Sequence, residues 1–185
     1  MMGILFIPMM IMGIVMLCSA PELLTKRLKN REERTTQKGV VALSGLLFID
    51  SFLVAALNYR YHWHTLPTII PYIASIIFLI GYALYAEVLR ENAWLSRTIE
   101  VQDGQSVVST GLYGIVRHPM YTATILMYLA MPLVLDSLIA FAIMLLYIPI
   151  IIRRINDEEQ LLNAELQGYT EYCTQVRWRL MPFIY

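Results

Sequence analysis

The sequence predicts an all-α fold: a polytopic membrane helix bundle of five spans, the last two a tight hairpin, followed by a cytosolic C-terminal helical tail. Three observations predict it. Hydrophobic residues make up 58% of the 185 and charged residues only 15%, too apolar a balance for a soluble domain of this size. The apolar residues fall into five runs parted by short polar stretches. With the N-terminus outside, every Lys and Arg except Arg60 falls on the cytosolic side, as the positive-inside bias requires. Formal net charge is zero, so charge gives no reason to expect a nucleic-acid partner.

Met1 to Ala20 is apolar with no basic residue ahead of it, which suits a retained first span better than a cleaved leader. The stretch from Glu22 to Lys38 carries Lys26, Arg27, Lys29, Arg31, Arg34 and Lys38, the composition of a cytosolic loop beside anionic lipid. Gly39 to Asn58 is the second span. An ionised carboxylate at its middle would be costly, so Asp50 is expected to be protonated, paired or turned into the bundle, with a buried hydrogen bond favoured. A short aromatic link, Tyr59 to Leu66, leads to the third span, Thr68 to Leu89, with Pro71 in its first turn where it does little harm. Ser96 to Ser109 changes period, and Asp103-Gly104 predicts a small extramembrane β-hairpin. Pro119 to Leu135 and Leu138 to Ile152 are parted only by Asp136-Ser137 and would each cover roughly 22 to 26 Å as helices, a pair that barely crosses. Pro132 and Pro149 are expected to bend these two arms. Residues 1–90 thus hold three N-terminal spans, and 91–185 a core built of the hairpin loop, the last two spans and the tail, in one integrated domain.

The densest polar stretch is Gly111 to Tyr121, lying where a loop enters the fourth span. Two glycines let backbone approach a ligand closely, and Pro119 suits a first helical turn. The same residues also fit a plain helix start with Arg117 at the headgroups. The proposed topology brings this stretch to the membrane face from which Arg153, Arg154, Asp157, Glu158 and Glu159 emerge on a helix, Arg154 and Glu158 sharing a side at i, i+4. Aromatic rings, a glycine-flanked turn and opposed carboxylates suit a ligand with a flat ring, hydroxyls and a positive charge. No phosphate-cradling glycine loop follows a strand, no Ser-His-Asp or Cys-His set is readable, and Cys18 and Cys173 lack companions at metal-ligand spacing, so no metal is expected.

From about Asn92 to Tyr185 the chain resembles the isoprenylcysteine carboxyl methyltransferase and phospholipid methyltransferase superfamily. Gly111, Tyr113, Arg117, His118, Pro119 and Tyr121 stand at its Gly-x-Tyr-x-x-x-Arg-His-Pro-x-Tyr pattern. Arg153 or Arg154 with Glu158 and Glu159, then Tyr169 and Tyr172, then Arg179 and Pro182, follow in the family's order. A second glycine usual after the last tyrosine is absent, because Thr122 and Ala123 follow Tyr121. The resemblance implies S-adenosylmethionine as cofactor, held by Gly111, Leu112, Tyr113, Val116, Arg117, His118, Pro119 and Tyr121, with Glu158 or Glu159 closing the pocket. It implies catalytic roles for Glu159 and for Arg153 or Arg154, one of the arginines facing the acceptor. That acceptor is expected to be lipophilic, a prenylcysteine-type carboxylate or a lipid amine, entering from the bilayer while the cofactor enters from the cytosol. Two rivals stand beside this reading. The ending Val176 to Tyr185 also resembles that of the NADPH-dependent sterol reductases, and a non-catalytic membrane binding protein would satisfy the composition alone.

Overall fold

The structure, a computed structural model, describes residues 2–19, 21, 35–63, 65–95 and 98–185. Among these residues every regular element is helical. Helix α1 spans Met2–Ser19, α2 Thr35–Tyr61, α3 Ile69–Glu91, α4 Pro119–Val134, α5 Leu138–Met144, α6 Tyr147–Glu165 and α7 Tyr169–Gln175, with a 3₁₀ turn at Gly111–Gly114. Three helical stretches are long and apolar enough to cross a membrane, Gln37–Tyr61, Ile69–Glu91 and Leu138–Glu165, while Met2–Cys18 and Pro119–Val134 are apolar but shorter. The chain is therefore a membrane protein. Large side chains such as Ile49, Leu53, Ile73, Ile76 and Ile80 stand exposed on α2 and α3, as lipid-facing residues do.

Small residues set the closest helix contact. Along α3 and α4, Ala74, Gly81, Ala123 and Ala130 are buried, and a Cβ at Gly81 would lie 2.7 Å from Met127 Cγ and 3.2 Å from the Ala123 carbonyl. Dispersion between close backbones is what holds helices together in lipid, so this seam anchors the bundle. Phe78, Met127, Met131, Met144, Tyr147 and Ile151 continue the same core across α5 and α6.

The fifth apolar run is not one helix. Pro149 cannot donate to the Leu145 carbonyl and its ring crowds that turn, so the chain breaks into α5 and α6 and the Leu145 carbonyl takes the Ile148 N–H instead, at 3.1 Å. Pro132, near the end of α4, leaves that helix continuous. At the corner between α4 and α5, Asp136 adopts φ +60° and is fastened on two sides: Asn58 Nδ2 donates to its carbonyl at 2.9 Å, and the Leu66 N–H to its carboxylate at 2.7 Å. Ser137 then caps α5 by accepting from the Ala140 N–H.

Two expectations fail. Ser96 to Ser109 forms no strand pair among its described residues. The turn is present, with Gly104 at φ +75° and Gln105 N–H donating to the Gln102 carbonyl at 3.0 Å, but Val101 and Val107 pack against Leu166, Tyr169, Tyr172 and Val176 of the tail rather than pairing with each other. Asp50 does not turn inward. It lies exposed on α2, and its neighbour Ser51 takes the buried place, its hydroxyl 3.4 Å from the Ala140 carbonyl. Of the basic stretch, residues 22–34 lie outside the described residues, and Lys38 is part of α2.

Candidate active site

The Gly111 to Tyr121 stretch is built on α3. Glu91, at the end of that helix, accepts the Leu112 N–H at 3.0 Å, and the next residue, Asn92, donates to the Tyr113 hydroxyl at 2.9 Å. Gly111 has φ +50°, and a Cβ there would run into the Glu91 carboxylate. Gly111→Ala should therefore lower stability by at least the roughly 1–2 kcal/mol that a left-handed residue with a side chain costs, and an unchanged thermal midpoint would argue against this fit. Tyr172 completes the anchor, donating to the Tyr113 carbonyl at 2.7 Å.

Arg117 and His118 are tied to the tail. Their N–H groups donate to the Trp178 and Arg179 carbonyls, each at 2.9 Å, and Thr122 Oγ1 donates to the Leu180 carbonyl at 2.6 Å. Beneath this seam lies Glu159, buried on α6. Arg117 Nε donates to its Oε1 at 2.8 Å, His118 Nε2 lies 3.1 Å from the same oxygen, and the Arg179 guanidinium reaches Oε2 at 2.7 Å. A carboxylate can only accept, so His118 carries a proton on Nε2. One buried anion thus joins the loop, α6 and the tail.

Two cavities meet at Tyr121. The first, of about 110 Å³, lies towards the loop and is lined by Tyr113, Arg117, His118, Tyr121, Glu158 and Tyr169 under a roof from Thr98 to Val108. The second, of about 370 Å³, lies among α2, α4 and α6, with Ser44, Phe48, Thr124, Tyr128 and Arg154 in its wall. Tyr121 belongs to both walls, and its hydroxyl donates to Glu158 at 2.6 Å while accepting from Arg154 Nε at 2.9 Å. The Tyr169 hydroxyl, also in the first wall, is buried without a hydrogen-bond partner among the described residues, the weak Cys173 thiol lying beside it. Burial pushes the Tyr169 and Tyr172 hydroxyls well above their ordinary range, so both remain protonated donors.

Of the residues singled out in the sequence, Tyr113, Arg117, His118, Tyr121 and Glu158 converge on the first cavity. Gly111, Leu112, Val116 and Pro119 shape the backbone behind it. Glu159, about 100° further round α6, lies outside that lining and is engaged by Arg117, His118 and Arg179. The arginines separate: Arg154 lines the second cavity, and Arg153 is exposed. Sequence reasoning misses Asn92 and Tyr169 as site residues, and Gln37, whose Oε1 accepts from Arg154 Nη1 at 3.2 Å. Asn92 and Gln37 carry no signal beyond standing at helix ends, whereas Tyr169 stands in a recognised Tyr-x-x-Tyr pair whose inward side is unreadable without the helix start at Gly168.

The comparisons with known proteins bear on the same segment. The family model described as isoprenylcysteine carboxyl methyltransferase family matches residues 72–164, about half the chain, from the first turn of α3 to the end of α6. The chain is also 32% identical over 91 residues to the Delta(14)-sterol reductase TM7SF2 of Mus musculus, an aligned region that is 48% of this chain and 22% of that protein. The match thus spans about a fifth of the relative's length.

Proposed function

The chain belongs to the isoprenylcysteine carboxyl methyltransferase family, and from that premise we propose that it transfers a methyl group from S-adenosylmethionine to a lipophilic acceptor at the cytosolic face of the membrane. The observation that carries this reading is the Tyr121 hydroxyl, shared between a polar cavity on the loop side and a more apolar cavity among helices, with Glu158 on one side of it and Arg154 on the other. Such a wall suits two ligands of opposite solubility meeting end to end.

The chemistry of the first wall fits the cofactor. Glu158 offers acceptors for sugar hydroxyls, the tyrosine rings offer faces to an adenine and to a cationic sulfur, and the buried Tyr169 hydroxyl has a donor to spare. Its enclosed space is below the ~300–1,000 Å³ usual for small-molecule pockets, so the irregular roof from Thr98 to Val108 has to lift as the cofactor enters. When bound, S-adenosylmethionine supplies an electrophilic methyl on a charged sulfur. The residues of this chain then have to align the acceptor and exclude water, which for in-line transfer counts for more than a strong base. A prenylcysteine-type carboxylate is already ionised at neutral pH, and Arg154, half-buried in the second wall, would orient it. A lipid amine would instead need to lose a proton, for which Glu158 is the nearer carboxylate to that wall. Glu159, engaged by Arg117, His118 and Arg179, is assigned to holding the loop and tail together.

The five-span arrangement, with the N-terminus outside and the loop-side cavity towards the cytosol, belongs to the same proposal and rests on the distribution of Lys and Arg. The likeness to a sterol reductase favours a second reading, an NADPH-dependent reductase using the same loop and tail. Thermal unfolding of the detergent-solubilised protein separates the two. S-adenosylhomocysteine at about a hundred times its Kd should stabilise by about 2.7 kcal/mol and raise hydrogen-exchange protection in the roof, while NADPH should do neither. Stabilisation by NADPH alone would replace the transferase with the reductase.

A further inference from the structure

Arg154 is held from an unexpected direction. Its Nη1 donates to Gln37 Oε1 at 3.2 Å, and Gln37 Nε2 donates to Asp157 Oδ2 at 2.6 Å. Gln37 is only 1% exposed, although it stands in the first turn of α2, more than a hundred residues away along the chain. The amide has one possible orientation here, because a guanidinium can only donate and a carboxylate can only accept. Gln37 therefore works as a one-way adaptor. Held by Asp157, three residues beyond Arg154 on α6, its carbonyl oxygen is a fixed acceptor for Arg154 Nη1, while Arg154 Nε donates to Tyr121.

We propose that Gln37 is a positioning residue for the acceptor site: with Asp157 behind it, it sets the direction in which Arg154 faces the second cavity. The proposal rests on the methyltransferase reading for its consequence in catalysis, though not for its geometry. A long, half-buried arginine in a site has to be locked by the hydrogen bonds behind it to hold one geometry. With Gln37 replaced, the acceptor at Arg154 Nη1 is gone and the guanidinium swings away from Tyr121 more readily. The side chain that fixes the acceptor thus comes from α2, outside the segment matched by the family model.

The test uses the full chain in detergent, without cofactor and then with it. Phenylglyoxal modification of Arg154, followed by mass spectrometry of its peptide, reads the hold on the guanidinium in the cofactor-free protein. Gln37→Leu should speed that modification by about tenfold, the equivalent of one hydrogen bond to a charged group, and Asp157→Ala, which removes only the anchor, should speed it less. Gln37→Glu combined with Asp157→Asn restores the chain of bonds with its polarity redistributed, and should return the slow rate. In that double variant the carboxylate introduced on α2 accepts from Arg154 on one side and from the amide introduced on α6 on the other. In the transfer reaction with N-acetyl-S-farnesylcysteine as acceptor probe, Gln37→Leu should raise the acceptor KM while the affinity for S-adenosylhomocysteine stays as in the unaltered protein. An unchanged modification rate in Gln37→Leu, or no recovery in the double variant, overturns the proposal; so does an equal loss of cofactor affinity. Absence of any methyl transfer by the unaltered protein would instead count against the methyltransferase reading, and the modification rates would still decide the role of Gln37.

Discussion

Tyr121→Phe is expected to lower methyl transfer by about a hundredfold while the protein stays folded. The ring is buried in the core, where it packs beside His118 at a centroid distance of 5.7 Å, and phenylalanine keeps that packing. What disappears is one oxygen that donates to Glu158 and accepts from Arg154. Hydrogen bonds to charged groups contribute about 1.5–3 kcal/mol each, and each ~1.4 kcal/mol of lost transition-state stabilisation is a factor of ten. The loss is not only of two bonds. Glu158 and Arg154 stand four residues apart on α6, a spacing at which a carboxylate and a guanidinium pair directly. With the hydroxyl gone, Arg154 is drawn to Glu158, and each charge leaves the cavity it serves. Both cofactor affinity and acceptor KM should suffer, with the thermal midpoint close to that of the unaltered protein. A variant with full turnover would remove Tyr121 from the centre of the site.

Much of this arrangement can be read in the chain, and what cannot has physical reasons. Apolar runs and the bias of Lys and Arg are summed over many residues, so a helical membrane protein follows from them whatever any one side chain does. The Gly111 to Tyr121 loop is equally visible, since glycines, a proline at a helix start and an arginine beside a histidine are local features. Its partner, by contrast, depends on helix phase. Glu158 and Glu159 are neighbours in sequence but differ by about 100° around α6, so one meets Tyr121 and the other meets Arg179. The same rotation parts Arg154 from Arg153. No pattern of residue types decides that phase, because it is fixed by which apolar residues, among them Ile151 and Ile155, lie against the core.

Asp50 and the Asp103-Gly104 turn show the opposite failing, a local rule overruled by surroundings. Asp50 lies exposed beside the exposed Ile49, and on α2 it is Ser51 that is turned to the neighbouring helix, because helix phase rather than polarity decides which side chain faces inward. Asp103-Gly104 makes its turn, but a two-strand ribbon alone is marginal in water, and Val101 and Val107 gain more by covering the tail tyrosines. Gln37 is silent for a third reason. Nothing marks one glutamine at the start of a span until α6 is brought against it.

The largest effect on stability should come from Glu159→Ala. Glu159 is 6% exposed and answers three cationic or proton-donating groups, Arg117, His118 and Arg179, drawn from the loop and the tail. Removing one partner from a buried pair costs about 3–5 kcal/mol, because the remaining charge stays buried without compensation. Arg117 is the more deeply buried charge, with its side chain 9% exposed and the neutral Val176 and Arg177 carbonyls as its remaining acceptors, whereas Arg179 at 31% can still turn to solvent and keeps its bonds to Asn156 and Tyr185. The consequence is therefore directional. The Arg117–Trp178 and His118–Arg179 seam should open first, exposing residues 176–180 to proteolysis and exchange, while the α3–α4 seam, held by Gly81 and its alanine neighbours, remains closed. Glu159→Gln should fall between, since an amide oxygen still accepts from one donor but supplies no charge. If Glu159 were instead a group acting on the substrate, Glu159→Gln would abolish transfer with the tail as protected as before. A lowered thermal midpoint with early exchange in the tail, and with activity in the surviving folded fraction, is the result that identifies it as the clamp.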